Sequence, residues 1–183
     1  KLRAAVTLEP LDDWQVLVQL TDPAPSGCLS FADPRNAGLG HRLYSPTGQF
    51  SPDHDRSAYD AARLMAVVPE GPVDLEPNKA LLLESGFERL GGVDFRKGCF
   101  VGQEVTARMK YRNLGKKRIM GLSSHAAPAT GDAIMAGERT AGVVLSALGE
   151  QALVLMRHEF VTHALTLRGQ EVRITADPDA PQG

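Results

Sequence analysis

Trp14, Val16, Val18 and Leu20 alternate with intervening residues over 14–20, and this period of two predicts a β-strand. Residues 3–8 alternate in part, and Leu11-Asp12-Asp13 reads as a turn, so the two runs predict a hairpin. Residues 21–27, rich in Pro and Gly, read as a loop. A short strand at 28–31 follows, ended by Asp33-Pro34-Arg35, and then a weak strand at 43–45. Trp14 and Cys28 fall on these strands as expected core residues.

The period then changes. Ser51-Pro52-Asp53 has the composition of a helix start, with a Ser cap, Pro in the first turn and an early acid. Tyr59, Ala62, Arg63 and Ala66 share one helical face before Pro69 to Pro72 end the run. Asp53-His54-Asp55 carries metal-ligand types, but neighbouring residues on a helix diverge, so no metal site is expected there. A second short helix is predicted over 79–90, broken by Gly91-Gly92, and a third over 103–110, ended by Asn113 to Gly115. Beyond it, apolar runs at 118–122, 140–145, 152–156 and 172–175 are separated by Gly, Pro and Ser, the pattern of a small barrel or sandwich. The expected organisation is an α+β region over 1–114, a β-region over 115–177 and a tail over 178–183.

Charge sharpens this outline. Residues 96–118 hold eight cations against Glu104 alone, a net +7, which leaves −9 on the rest of a chain whose total is −2. A basic stripe on an acidic body attracts an anion at one place and repels it elsewhere. Two cysteines, Cys28 and Cys99, are too few for a disulfide framework, and the start of the chain lacks the apolar segment of a signal peptide. No apolar run reaches the roughly 18 residues of a membrane span. The expectation from these features is a cytoplasmic monomer that makes no membrane contact.

The run Lys97-Gly98-Cys99-Phe100-Val101-Gly102-Gln103-Glu104 carries the chemistry. A thiol reacts when it is accessible and its thiolate is stabilised. Gly98 and Gly102 open the backbone, Arg96 and Lys97 bring positive charge, and the predicted helix mouth favours an anion. Against this stands an inert Cys buried in a Gly-rich turn. The five histidines are scattered, so a Cys–His hydrolase is not indicated, and no second cysteine near Cys99 supports zinc.

This octet resembles the K-G-C-[aromatic]-x-G-Q-E signature of the YgfZ family. Asp33-Pro34-Arg35 with Leu39-Gly40 and Arg42 resembles the family's D-P-R…L-G-x-R segment, and Gly115 to Arg118 resembles the run after the signature. The resemblance covers most of the chain from part-way through the family's first module. It implies a glycine-cleavage T-protein fold, with ferredoxin-like α+β modules around folate followed by a C-terminal antiparallel β-barrel. It implies tetrahydrofolate or a derivative as cofactor, with transient contact to an iron–sulfur cluster. Cys99 would be the key functional residue with Lys97 beside it, and Tyr59, Arg63, Gln103 and Glu104 would bind the cofactor. The implied role is accessory: assembly or repair of iron–sulfur clusters in client enzymes, including tRNA-thiolating ones, so that tRNA is involved only indirectly. Two other functions compete, a tetrahydrofolate-dependent aminomethyltransferase of the T-protein type and an RNA-binding module using the basic stripe. The second lacks interleaved aromatics.

Overall fold

The computed structural model describes residues 5–21, 25–98 and 102–179. Three strands, β1 (Trp14–Gln19), β2 (Leu29–Ala32) and β3 (His41–Pro46), form an antiparallel sheet in the order β1-β3-β2. Among the described residues, 5–8 form no strand beside β1, so the predicted hairpin is not seen there. The partner of β1 is β3, with Leu17 opposite Leu43 and Val16 opposite Tyr44. Local alternation identified the strand but carries no information about a partner more than twenty residues away.

Alternation sorts the two faces of this sheet. Leu43 and Ser45 are buried on one, whereas Val16, Leu29 and Phe31 are exposed on the other. Phe31 meets Tyr44 edge-on there, with ring centroids 6.0 Å apart. Between β2 and β3, a 3-10 turn at Ala37–Leu39 is capped by Asn36, whose side chain accepts from the Gly38 amide at 2.8 Å.

Helix α1 spans Arg56–Met65. Its N-cap is Asp55, which accepts from the Ser57 amide at 2.9 Å, and not the Ser51 expected from composition. Helix α2 spans Glu104–Tyr111. The helix predicted over 79–90 is absent. Isolated i→i−4 bonds such as Ser85 to Leu81 and Leu90 to Gly86 form single turns, and Gly86, at φ +73°, stops them from joining into one run.

Residues 117–176 fold into a closed six-stranded antiparallel barrel: β4 (Lys117–Ser123), β5 (Ala133–Ala136), β6 (Arg139–Leu148), β7 (Gln151–Arg157), β8 (Leu165–Leu167) and β9 (Gln170–Ala176). Their order around the barrel is β4-β7-β6-β5-β8-β9. Closure removes sheet edges, which decides between the barrel and the sandwich. Met120, Leu122, Ile134, Val144, Val154 and Met156 fill the interior. On the outer wall, Ile119 and Leu153 pack against Leu64 and Val67 at the end of α1. A bulge in β6 between Val144 and Ser146 gives that wall an extra residue, Leu145, which joins this outer cluster.

The described residues are thus mostly β. The expected barrel is present. The region before it has the coarser form of a three-stranded sheet with helices, and the ferredoxin-like modules implied by resemblance are not evident in it. No helix among the described residues is long and apolar enough to cross a membrane.

Candidate functional site

The resemblance segment 33–42 builds a compact ionic knot. Asp33, 5 % exposed, ends β2. Its carboxylate accepts from the Arg35 amide at 3.0 Å and from Arg35 Nε and Nη2 at 2.9 and 2.6 Å, with Arg42 Nε at 3.4 Å. Arg35 Nη2 also donates to the Tyr59 hydroxyl at 3.0 Å, which ties the sheet to α1. Burial pushes the Asp33 pKa up, but hydrogen bonds and charge from Arg35, aided by Arg42, outweigh it and hold the pKa at about 2. The same bond to Asp33 raises the Arg35 pKa.

The folded-state pKa lies below the unfolded value of 3.8, so ionised Asp33 stabilises the fold above about pH 4, and the contribution of roughly 2 kcal/mol is lost as pH falls towards 2. Urea unfolding at about pH 5 and about pH 2.5 should show the wild type losing more stability on acidification than Asp33→Asn. Equal losses would contradict the assignment.

Tyr59 and Arg63 lie one turn apart on α1. The Tyr59 ring packs against Leu39, Val68 and Leu90, which together with its bond to Arg35 fixes the ring's orientation. Arg56 stands 6.0 Å from the ring centroid. Arg63 is 4 % exposed. Its Nε donates to Asp60 Oδ1 at 2.6 Å and its Nη1 to Asp74 Oδ2 at 2.7 Å. Asp74 Oδ2 also accepts from the Glu70 amide at 2.9 Å. Burial opposes ionisation of Asp60, and hydrogen bonds from Arg63 and Arg56 overcome it to lower its pKa. Arg63 therefore secures the chain that follows α1. Its guanidinium is not held open toward solvent.

Cys99 and Phe100 lie outside the described residues. Of their flanks, Lys97, Gly98 and Gly102 are exposed, and Gly102 has φ +89°. Gln103 is the N-cap of α2 and Glu104 its first residue. Phe95 packs edge-on against Tyr111 at 6.3 Å, and Lys110 lies 5.4 Å above the Phe95 ring, so the segment before the octet rests on α2. Cys28, the other cysteine, is a free thiol, and its Sγ donates to the Pro25 carbonyl at 3.4 Å.

The structure brings Tyr59 close to Arg63 and Gln103 close to Glu104, but these pairs sit on different helices. Among the described residues α1 packs on the 3-10 turn, β6 and β7, and α2 is not one of its close neighbours. Two clefts open at the end of the barrel instead. One, of about 220 Å³, is lined by Glu84, Glu88, Lys110, Arg118 and Asp179 among others. The second, of about 460 Å³, is lined by Gly115, Lys116, Lys117, Arg157, His158 and Glu159. Sequence reasoning found the basic stripe but missed Arg157, His158 and Glu159, which lie forty residues further along. Only the pairing of β4 with β7 brings them alongside.

Residues 116–182 match the CAF17 C-terminal β-barrel domain. The chain is 32 % identical to the mouse mitochondrial iron–sulfur cluster assembly factor IBA57 across 96 % of its own length and 56 % of that protein. It is 34 % identical to the IBA57 homologue of Pyricularia oryzae, across 93 % of this chain and 53 % of the homologue. With human IBA57 it shares 31 % identity across 93 % of this chain and 54 % of that protein. The chain spans little more than half the length of each of these relatives. All three are named mitochondrial. That naming overturns the cytoplasmic expectation.

Proposed function

We propose that this chain, which carries a barrel matching the CAF17 C-terminal type and is homologous to IBA57 assembly factors along nearly its whole length, supports the assembly or repair of iron–sulfur clusters in client enzymes. The similarity to three proteins named as iron–sulfur cluster assembly factors carries the reading. Those relatives are named as mitochondrial proteins, which supports a mitochondrial setting. Tetrahydrofolate or a derivative and tRNA-thiolating clients are finer parts of the same proposal.

In this reading Cys99 is the working thiol. Lys97 and Arg96, two and three residues before it, favour its thiolate, the form that binds metal or exchanges electrons. Tyr59 offers its ring to a pterin. Its fit rests on a ring already fixed by Leu39, Val68, Leu90 and Arg35, so little order remains to be gained on stacking. Arg63 fits as the positioning residue behind Tyr59, since Asp60 and Asp74 occupy its guanidinium. Gln103 and Glu104 contribute polar groups from the start of α2. A bound reduced folate would supply one-carbon carrier chemistry.

The test is complementation. In cells lacking their own IBA57, wild-type protein should restore the activity of iron–sulfur enzymes, and Cys99→Ala should not. Full restoration by Cys99→Ala would remove the thiol from the mechanism. Titration with tetrahydrofolate examines the cofactor separately, and Tyr59→Ala should weaken binding about tenfold if the ring stacks on the pterin.

A further inference from the structure

The larger cleft at the barrel end has an electrostatic problem that the chain itself does not solve. Lys117 on β4 lies directly opposite Arg157 on β7. Like charges facing each other across antiparallel strands destabilise the pair. Lys116 adds a third cation to the same lining. The one acid in that lining, Glu159, is shared, with Arg139 at 3.2 Å and Arg157 at 3.6 Å. Glu84 stands behind the lysines, where its Oε1 accepts from the backbone amides of Lys116 and Lys117 at 3.2 and 3.3 Å. That contact pins the backbone. A Cβ placed on Gly115 would meet nothing within 4 Å, so the cleft is open to an incoming chain beside this residue.

We infer that this cleft is a docking site for a short acidic segment of a partner protein, with carboxylates seated among Lys116, Lys117 and Arg157. An anion at this point turns the Lys117–Arg157 repulsion into attraction on both sides, and arginine and lysine both donate well to carboxylates. The volume of about 460 Å³ suits a few side chains. Two observations favour a short peptide over nucleic acid. The lining has no Phe, Tyr or Trp, and the His158 imidazole is its one ring, so successive bases have no platform to stack on. The rest of the chain carries −9, so a long polyanion meets repulsion once it leaves the basic stripe, whereas a short acidic segment ends before it does. The proposal is independent of the folate and Cys99 assignments.

The experiment uses a fluorescein-labelled hexaglutamate peptide, followed by anisotropy on the whole chain at low ionic strength. The wild type should bind it, with affinity falling as salt rises. Lys116→Glu/Lys117→Glu should weaken binding about tenfold or more. Lys79→Glu, which alters an exposed lysine paired with Glu76, should leave it unchanged. Circular dichroism reports whether each variant folds. If the double reversal does not, Lys116→Gln/Lys117→Gln takes its place with a smaller expected loss and a shallower salt dependence. Equal binding by wild type and the cleft variants would overturn the proposal. So would a short single-stranded RNA of matched charge that binds more tightly than the peptide.

Discussion

Arg63→Ala is expected to destabilise the protein by about 3–5 kcal/mol, because it strands a buried carboxylate. The Asp74 side chain is fully buried, and its Oδ2 takes the Arg63 Nη1 bond at 2.7 Å. Without the guanidinium, Asp74 keeps only the Glu70 amide, and Asp60 loses its 2.6 Å partner. The measurement is the urea midpoint at neutral pH, where a loss of this size would leave a small domain close to unfolding. Adding Asp74→Ala to Arg63→Ala should recover part of the loss, because the stranded charge is then gone. A loss below about 1 kcal/mol would mean that the ionic cluster is not structural, and would return Arg63 to the set of groups free to meet a ligand.

Gly40→Ala should have a comparable effect through the backbone. Gly40 has φ +62°, and a Cβ there would stand 1.9 Å from the Gln19 carbonyl oxygen and 2.8 Å from the Leu20 Cα. Both obstacles are main chain, so no rotamer change relieves the contact. Relief requires the end of β1 to move away from β3, where Gln19 pairs with His41. Strain and displacement together should cost about 3 kcal/mol or more. Gly48→Ala supplies the comparison. That residue has φ +85°, but nothing lies within 4 Å of its would-be Cβ, so only the conformational term of about 1 kcal/mol remains. Similar urea midpoints for the two variants would show that close approach at Gly40 contributes nothing.

The outcome at individual elements shows what kind of information the sequence held. The apolar runs of β4, β6, β7 and β9 announced themselves because each must present a face to the barrel interior. The four-residue β5 and three-residue β8 did not, since Ala133–Ala136 and Leu165–Leu167 are too short to establish a period. The start of α1 was displaced because Ser51 and Asp55 are both good caps, and composition does not rank them. Residues 79–90 have helical spacing, yet the left-handed Gly86 interrupts it. The candidate site divides in the same way. The basic stripe and the octet around Cys99 are contiguous in sequence and were readable there. The bond from Arg63 to Asp74 and the meeting of Lys117 with Arg157 depend on how the chain returns on itself.

The contact of Leu64 and Val67 with Ile119 and Leu153 has a consequence for how order is shared along the chain. Neither the helix end nor the strands beneath it can fray alone without wetting the other's apolar side. The barrel's wall is therefore also the helix's shelter. Loss of order at the end of α1 should therefore loosen β4 and β7, the strands that carry Lys117 and Arg157 to the basic mouth.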